Sequence, residues 1–200
     1  MAVIQRRIDC RNQKALKIIR GTLLTAADVD YLVTTTSMKV GTYTRAAQLG
    51  CPCLITVSAT ASGTADTMGT ITITGTDAFD VAQSETIIPV AGSTVSGTKF
   101  FKTVNTDGIV GAGWVIDAGA GNDSITIGVL MSSGIYTKGY SLSVFIITGN
   151  VWVNPLITAV EGTTAIPLIA GDSMENISCD TFSLIADSSG GTYYAIIWDN

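Results

Sequence analysis

Asp77 with Asp80, and Asp172 with Glu175, are carboxylate pairs three residues apart, the residue types that acid and base catalysis of glycoside hydrolysis needs. Both pairs lie in turn-like segments, where Asp commonly accepts hydrogen bonds from its own backbone. The chain contains no histidine. That removes Ser-His and Cys-His nucleophile pairs, His-ligated zinc and the commonest general base at neutral pH. No Walker-type GxxxxGKS or GxxxxGKT loop is present, and the glycine-rich Gly108-Ile-Val-Gly-Ala-Gly113 is not followed by a helical pattern whose N-terminus could hold phosphate. The sequence therefore reads as non-enzymatic, with no catalytic residue, cofactor or metal assigned.

Cys10, Cys51, Cys53 and Cys179 match no zinc spacing and are too sparse for a disulfide scaffold, so they are read as reduced, mostly buried thiols. Cys51-Pro-Cys53 lacks the partner cluster that metal or redox chemistry would require. The segment Ala118-Gly-Ala-Gly-Asn-Asp-Ser-Ile-Thr126 resembles one unit of a calcium-binding nonapeptide repeat. Such repeats bind calcium between stacked copies, and a single copy reads as a hairpin loop, which leaves Asp117, Asn122 and Asp123 as turn residues.

Two other groups could carry recognition. Arg6, Arg7, Arg11, Lys14, Lys17 and Arg20 oppose only Asp9 in the first twenty residues. That makes the segment +5 and, from a total of −5, leaves −10 for the rest. Without interleaved aromatics and on an acidic body, this arm is read as docking on protein, with a solvated basic helix and then nucleic-acid contact as the alternatives. Trp114, Trp152, Tyr193, Tyr194 and Trp198 combine large contact area with a polar handle. Core packing, a subunit interface and a sugar-binding face are all open to them, and Trp152, Tyr193, Tyr194 and Trp198 are the interface candidates.

The elements that would position these groups are strands. Of 200 residues, 46% are apolar and only 14% charged, and Gly, Thr, Ser, Val and Ile dominate from Thr42 onward. This composition favours pleated strands and small turns. So thin a supply of charge implies that neighbouring subunits cover part of the surface. Thr70-Ile-Thr-Ile-Thr74 alternates cleanly, as a half-buried antiparallel strand does.

Further strands are expected at 54–59, 85–90, 99–104, 114–117, 124–130, 142–148, 151–153, 157–160, 165–169, 174–178, 182–186 and 193–198. Asp107-Gly108 predicts a hairpin turn, and Gly149-Asn150, Gly171-Asp172 and Ser188-Ser-Gly-Gly191 predict further turns. Helical patterning is confined to 13–19 and to 25–32, where Thr25-Ala-Ala-Asp28 resembles a capping box. The expectation is an all-β chain: antiparallel β-sandwiches with a short, partly helical N-terminal arm. The arm spans 1–40, a β-sandwich domain 41–132 and a smaller β domain 133–200, with one continuous sandwich as the competing division. The start of the chain lacks the apolar core of a signal peptide, and the most apolar window, 142–160, is broken by Thr148, Gly149, Asn150, Asn154 and Pro155, so no membrane span is expected.

Gly69-Thr-Ile-Thr-Ile-Thr-Gly-Thr-Asp-Ala-Phe79, Ser84-Glu-Thr-Ile-Ile88 and Thr98-Lys-Phe-Phe-Lys-Thr-Val104 resemble stretches of small β-sandwich structural proteins of tailed bacteriophage virions. Pro167-Leu-Ile-Ala-Gly-Asp-Ser-Met174, Phe182-Ser-Leu-Ile-Ala-Asp187 and Tyr194-Ala-Ile-Ile-Trp198 resemble their C-terminal sandwiches. The resemblance implies a virion component assembled in the host cytoplasm: a capsid decoration or cement protein, with a neck or tail protein and a carbohydrate- or receptor-binding fibre module as alternatives. It also implies a homo-oligomer whose partners are other virion proteins, with no membrane involved and no catalytic residues to carry over.

Overall fold

The computed structural model describes residues 15–23, 26–38, 41–60, 68–115, 123–136, 140–154, 165–179 and 181–199. Thirteen strands make up about three-quarters of them: β1 (Ala15–Leu23), β2 (Asp28–Ser37), β3 (Thr42–Tyr43), β4 (Cys53–Thr60), β5 (Thr70–Thr76), β6 (Ala82–Ile87), β7 (Ser93–Phe101), β8 (Thr103–Ala112), β9 (Ser124–Tyr136), β10 (Tyr140–Asn154), β11 (Ile166–Ile169), β12 (Ser173–Ser178) and β13 (Thr181–Asp199). No α-helix occurs among the described residues. The chain is all-β, as its Thr-, Val- and Ile-rich composition requires.

The strands form two antiparallel sheets. The larger has nine strands, with a path β11-β10-β13-β9-β4-β7 to which β1 adds on β13, β12 on β10 and β2 on β9; the smaller is β3-β8-β5-β6. Their inner faces share one apolar cluster, in which Ile71, Ile73, Val104 and Ile109 of the small sheet join Ile55, Val57, Ile125 and Ile127 of the large one. β5 shows how the sequence specifies this layer. Ile71 and Ile73 are fully buried while Thr70, Thr72 and Thr74 are half-buried, the period-two signature of a strand with one face on the core.

Three local expectations are corrected. Residues 15–19 and 28–32, read as helical, are strands. In β1, Ile19 and Leu23 are buried while Ile18 and Arg20 are exposed, and tertiary pairing outweighs so weak a helical pattern. The N-terminal residues 1–14 lie outside the described residues, and from Ala15 onward the expected arm is built into the large sheet.

Asp107-Gly108 is not a hairpin: β8 runs through it, bonding to β5 at Val104 and again at Ile109, with the residues between bulged out. Gly149-Asn150 and Ser188-Ser-Gly-Gly191 do not separate strands either. They are facing irregularities within the long β10 and β13, where Val151 pairs with Ala186 and Gly149 with Gly191. The turn at Gly171-Asp172 is present, with Gly171 at φ 93. Strand β9 runs through residue 132, and strands from both sides of that position share the large sheet. The strand expected at 157–160 lies outside the described residues.

Candidate functional site: the outer face of β1, β13, β10 and β12

Three neighbouring strands, β1, β13 and β10, carry Lys17, Arg20, Trp152, Tyr193, Tyr194 and Trp198, and β12 extends their sheet; Trp114, just beyond β8, is instead partly buried against the core. β1 pairs with β13, β13 with β10 and β10 with β12, so the register defines rows across the sheet. Arg20 lies opposite Tyr194, Tyr194 opposite Phe145 and Phe145 opposite Ser173. The next row runs Ile18, Ile196, Ser143, and the third Trp198, Ser141, Ser178.

Side chains alternate along a strand. Since Ile19, Tyr193, Ala195, Ile197, Leu142 and Val144 are buried in the core, these rows occupy the opposite, outer face. Ile18 is 62% exposed there, while Phe145, Tyr194, Ile196 and Trp198 are half-buried and Ser141 and Ser143 of the same rows are buried. The Arg20 guanidinium lies 5.0 Å from the Tyr194 ring centroid, a cation–π arrangement. The Trp198 indole N–H donates to Ser143 Oγ at 3.1 Å.

The interface candidates thus separate. Tyr194 and Trp198 come together on this face, joined by Phe145, Ile196 and Ile18, which sequence reasoning did not single out. Alternation along Tyr194-Ala-Ile-Ile-Trp198 could have found Ile196. Tyr193 is fully buried, because neighbours in a strand point to opposite faces. Trp152 sits farther along β10, beyond the irregularities at 146–151, opposite Ile185 and Pro167.

Of the basic group, Arg6, Arg7, Arg11 and Lys14 lie outside the described residues. Lys17 pairs with Asp80 of the β5–β6 turn, and Arg20 belongs to the outer face.

The carboxylates considered for catalysis are engaged in turns. Asp77 Oδ1 accepts the backbone N–H groups of Phe79 (2.8 Å) and Val81 (2.9 Å). Asp80, at φ 65, is clamped by Lys102 and Lys17, whose hydrogen bonds hold its carboxyl below the usual range. Asp172 Oδ2 accepts the Ile169 N–H at 3.0 Å across the β11–β12 turn, and Glu175 accepts the Ser173 hydroxyl at 3.4 Å.

Cys51 and Cys53 are buried, with sulphurs 3.3 Å apart. The hydrogen bond from Cys51, reinforced by burial, pushes the Cys53 thiol well above the usual range, and a thiol held protonated is a poor nucleophile. Cys179 is half-buried, while Cys10, Asp117 and Asn122 lie outside the described residues. Asp123 is buried at the start of β9, its carbonyl accepting the Met38 N–H at 3.4 Å. Among the described residues no group of three or more His, Cys, Asp or Glu could hold a metal ion.

No protein-family profile matches this chain, and no curated protein is significantly similar to it. Among solved structures, the regulatory domain of Toxoplasma gondii PKA with cAMP matches at 8% identity over 92% of this chain and 77% of that one, with a TM-score of 0.19. A score that low carries no argument about either fold or function.

Proposed function

We propose that this chain is a non-enzymatic structural subunit that works by packing against other protein chains, as a head-associated decoration or cement protein of a tailed bacteriophage. The observation that carries the assembly half is the outer face: Ile18, Ile196, Tyr194, Phe145 and Trp198 form adjoining apolar and aromatic rows, with Ile18 62% exposed and the other four half-buried in the single chain. Aromatic residues flanked by a stacked arginine are the composition that subunit contacts favour. The virion half rests on the sequence resemblance. The engaged Asp77, Asp80, Asp172 and Glu175 support the non-enzymatic reading.

The test is sedimentation velocity on the purified chain and on Ile18→Asp and Ile196→Asp variants. The wild type is expected to form a defined oligomer, and each variant to dissociate with its far-UV circular dichroism unchanged. A wild type that stays monomeric up to its solubility limit overturns the proposal. Copy number per particle separates head decoration, in the hundreds, from a neck or tail ring. Glycan binding abolished by Trp198→Ala would favour a receptor-binding fibre instead.

A further inference from the structure

We infer that copies of this chain join edge to edge, the β12 strand of one copy adding antiparallel to the β1 strand of the next. This rests on the assembly reading above and names the partner strand.

The first observation is where the backbone of β1 points. Thr22 N–H donates to Gly50 O at 3.0 Å, away from β13. Backbone groups two residues apart point to the same side of a strand, and the pairing with β13 is regular from Lys17 to Leu23. Ile18 and Arg20 therefore direct their N–H and C=O groups to the side opposite β13, where neither has a backbone partner among the described residues. At the far end of the same four-strand run, β12 pairs with β10 alone among the described residues. Unpaired edges of this kind are templates for strand addition.

The second observation is charge. β1 carries Arg20 and Lys17, the latter already paired with Asp80 so that Arg20 is the cation left for a neighbour, with Lys14 just before the strand in sequence. β12 carries Glu175, with Asp172 before it and Asp180 after. Pairing β1 with another β1 would bring together strands that carry only cations, and pairing β12 with another β12 strands that carry only anions. β1 against a neighbour's β12 is the complementary combination, and the like-charge arrangements are disfavoured by the same residues.

Strand direction agrees. Three successive antiparallel pairings make β1 and β12 run in opposite directions, so a rotated neighbour presents β12 antiparallel to β1. The contact uses two different surfaces, and copies joined this way form a ring where the rotation closes. Ile18, 62% exposed in the single chain, would gain a cross-strand neighbour on the outer face from the added strand.

The experiment is a charge exchange read by sedimentation velocity. Arg20→Glu and Glu175→Arg are each expected to weaken self-association about fivefold or more, at unchanged circular dichroism. The double variant R20E/E175R, and an equimolar mixture of the two single variants, are expected to recover association to near the wild-type level. That recovery distinguishes a strand-to-strand contact from mere loss of the Arg20–Tyr194 stack, which the exchange does not restore. The inference is overturned if either single variant associates like the wild type, or if neither the double variant nor the mixture recovers. Wild-type association with no response to the exchange sinks the edge contact and leaves the assembly reading standing, whereas a monomeric wild type sinks both.

Discussion

At the scale of single residues, the acidic side chains that first suggest chemistry act on their own turns. Asp77 accepts two backbone N–H groups, each bond worth about 1 kcal/mol. Asp77→Ala should therefore lower stability by about 1–2 kcal/mol, read as a shift of the urea midpoint at constant slope.

Asp80 is held ionised first by Lys102 and then by Lys17. Its folded-state pKa lies below the ordinary 3.8, so the folded chain binds fewer protons there than the unfolded one. The associated stability is complete above pH 3.8 and is lost as pH falls through the lower folded value. Lys102→Met should raise the Asp80 pKa more than Lys17→Met, as followed by carboxyl chemical shifts in an NMR titration. Added salt should act in the same direction, because the pair is exposed.

Tyr43 has the opposite sign. Burial pushes its phenol up to about 12, and its hydroxyl donates to Met38 O at 2.8 Å. The native state thus resists deprotonation, and the stability tied to the neutral phenol is complete below pH 10 and lost between pH 10 and about 12. An absorbance titration should show Tyr43 ionising only as the fold opens.

At the scale of elements, long strands are kept paired by bulges at glycines. Gly149 has φ 77, and a Cβ there would lie 2.0 Å from the Gly190 carbonyl oxygen. Gly149→Ala meets both a left-handed backbone and a backbone clash, and should cost about 2 kcal/mol or more, measured by chemical denaturation. The same glycines show where sequence reading stops. β4, β5, β11 and β12 were legible because their apolar residues are bounded by Gly, Asp or Ser and match the strand period. Gly149-Asn150 and Asp107-Gly108 carry the local chemistry of turns, yet long-range pairing on both sides recruits them as bulges. β1 was missed because Leu16, Ile18 and Ile19 fit a helical stripe as well as a strand. Only the partner strand, far off in sequence, decides between them. The outer face was half legible for a related reason: the aromatic residues stand out in the sequence, but which face each takes depends on register.

At the scale of the molecule, the two sheets are held by one shared core. Ile127 sits on β9 with β2 on one side and β4 on the other, fully buried. Ile127→Ala should cost about 2–5 kcal/mol, and unfolding should remain a single transition by fluorescence and circular dichroism if the sheets melt together.

The pairing of Ala15 with Trp198 and of Leu23 with Gly191 joins the first described strand to the last. During synthesis β1 emerges long before any of β13 exists. At about 5–20 residues per second it waits on the order of ten seconds or more for its partner, with Ile18, Ile19 and Leu23 all open to water. Such a non-local closure makes the contact order high and folding slow. The β1 edge of the large sheet is sealed only once β13 has left the ribosome, and until then β1 lacks the partner strand it pairs with in the fold.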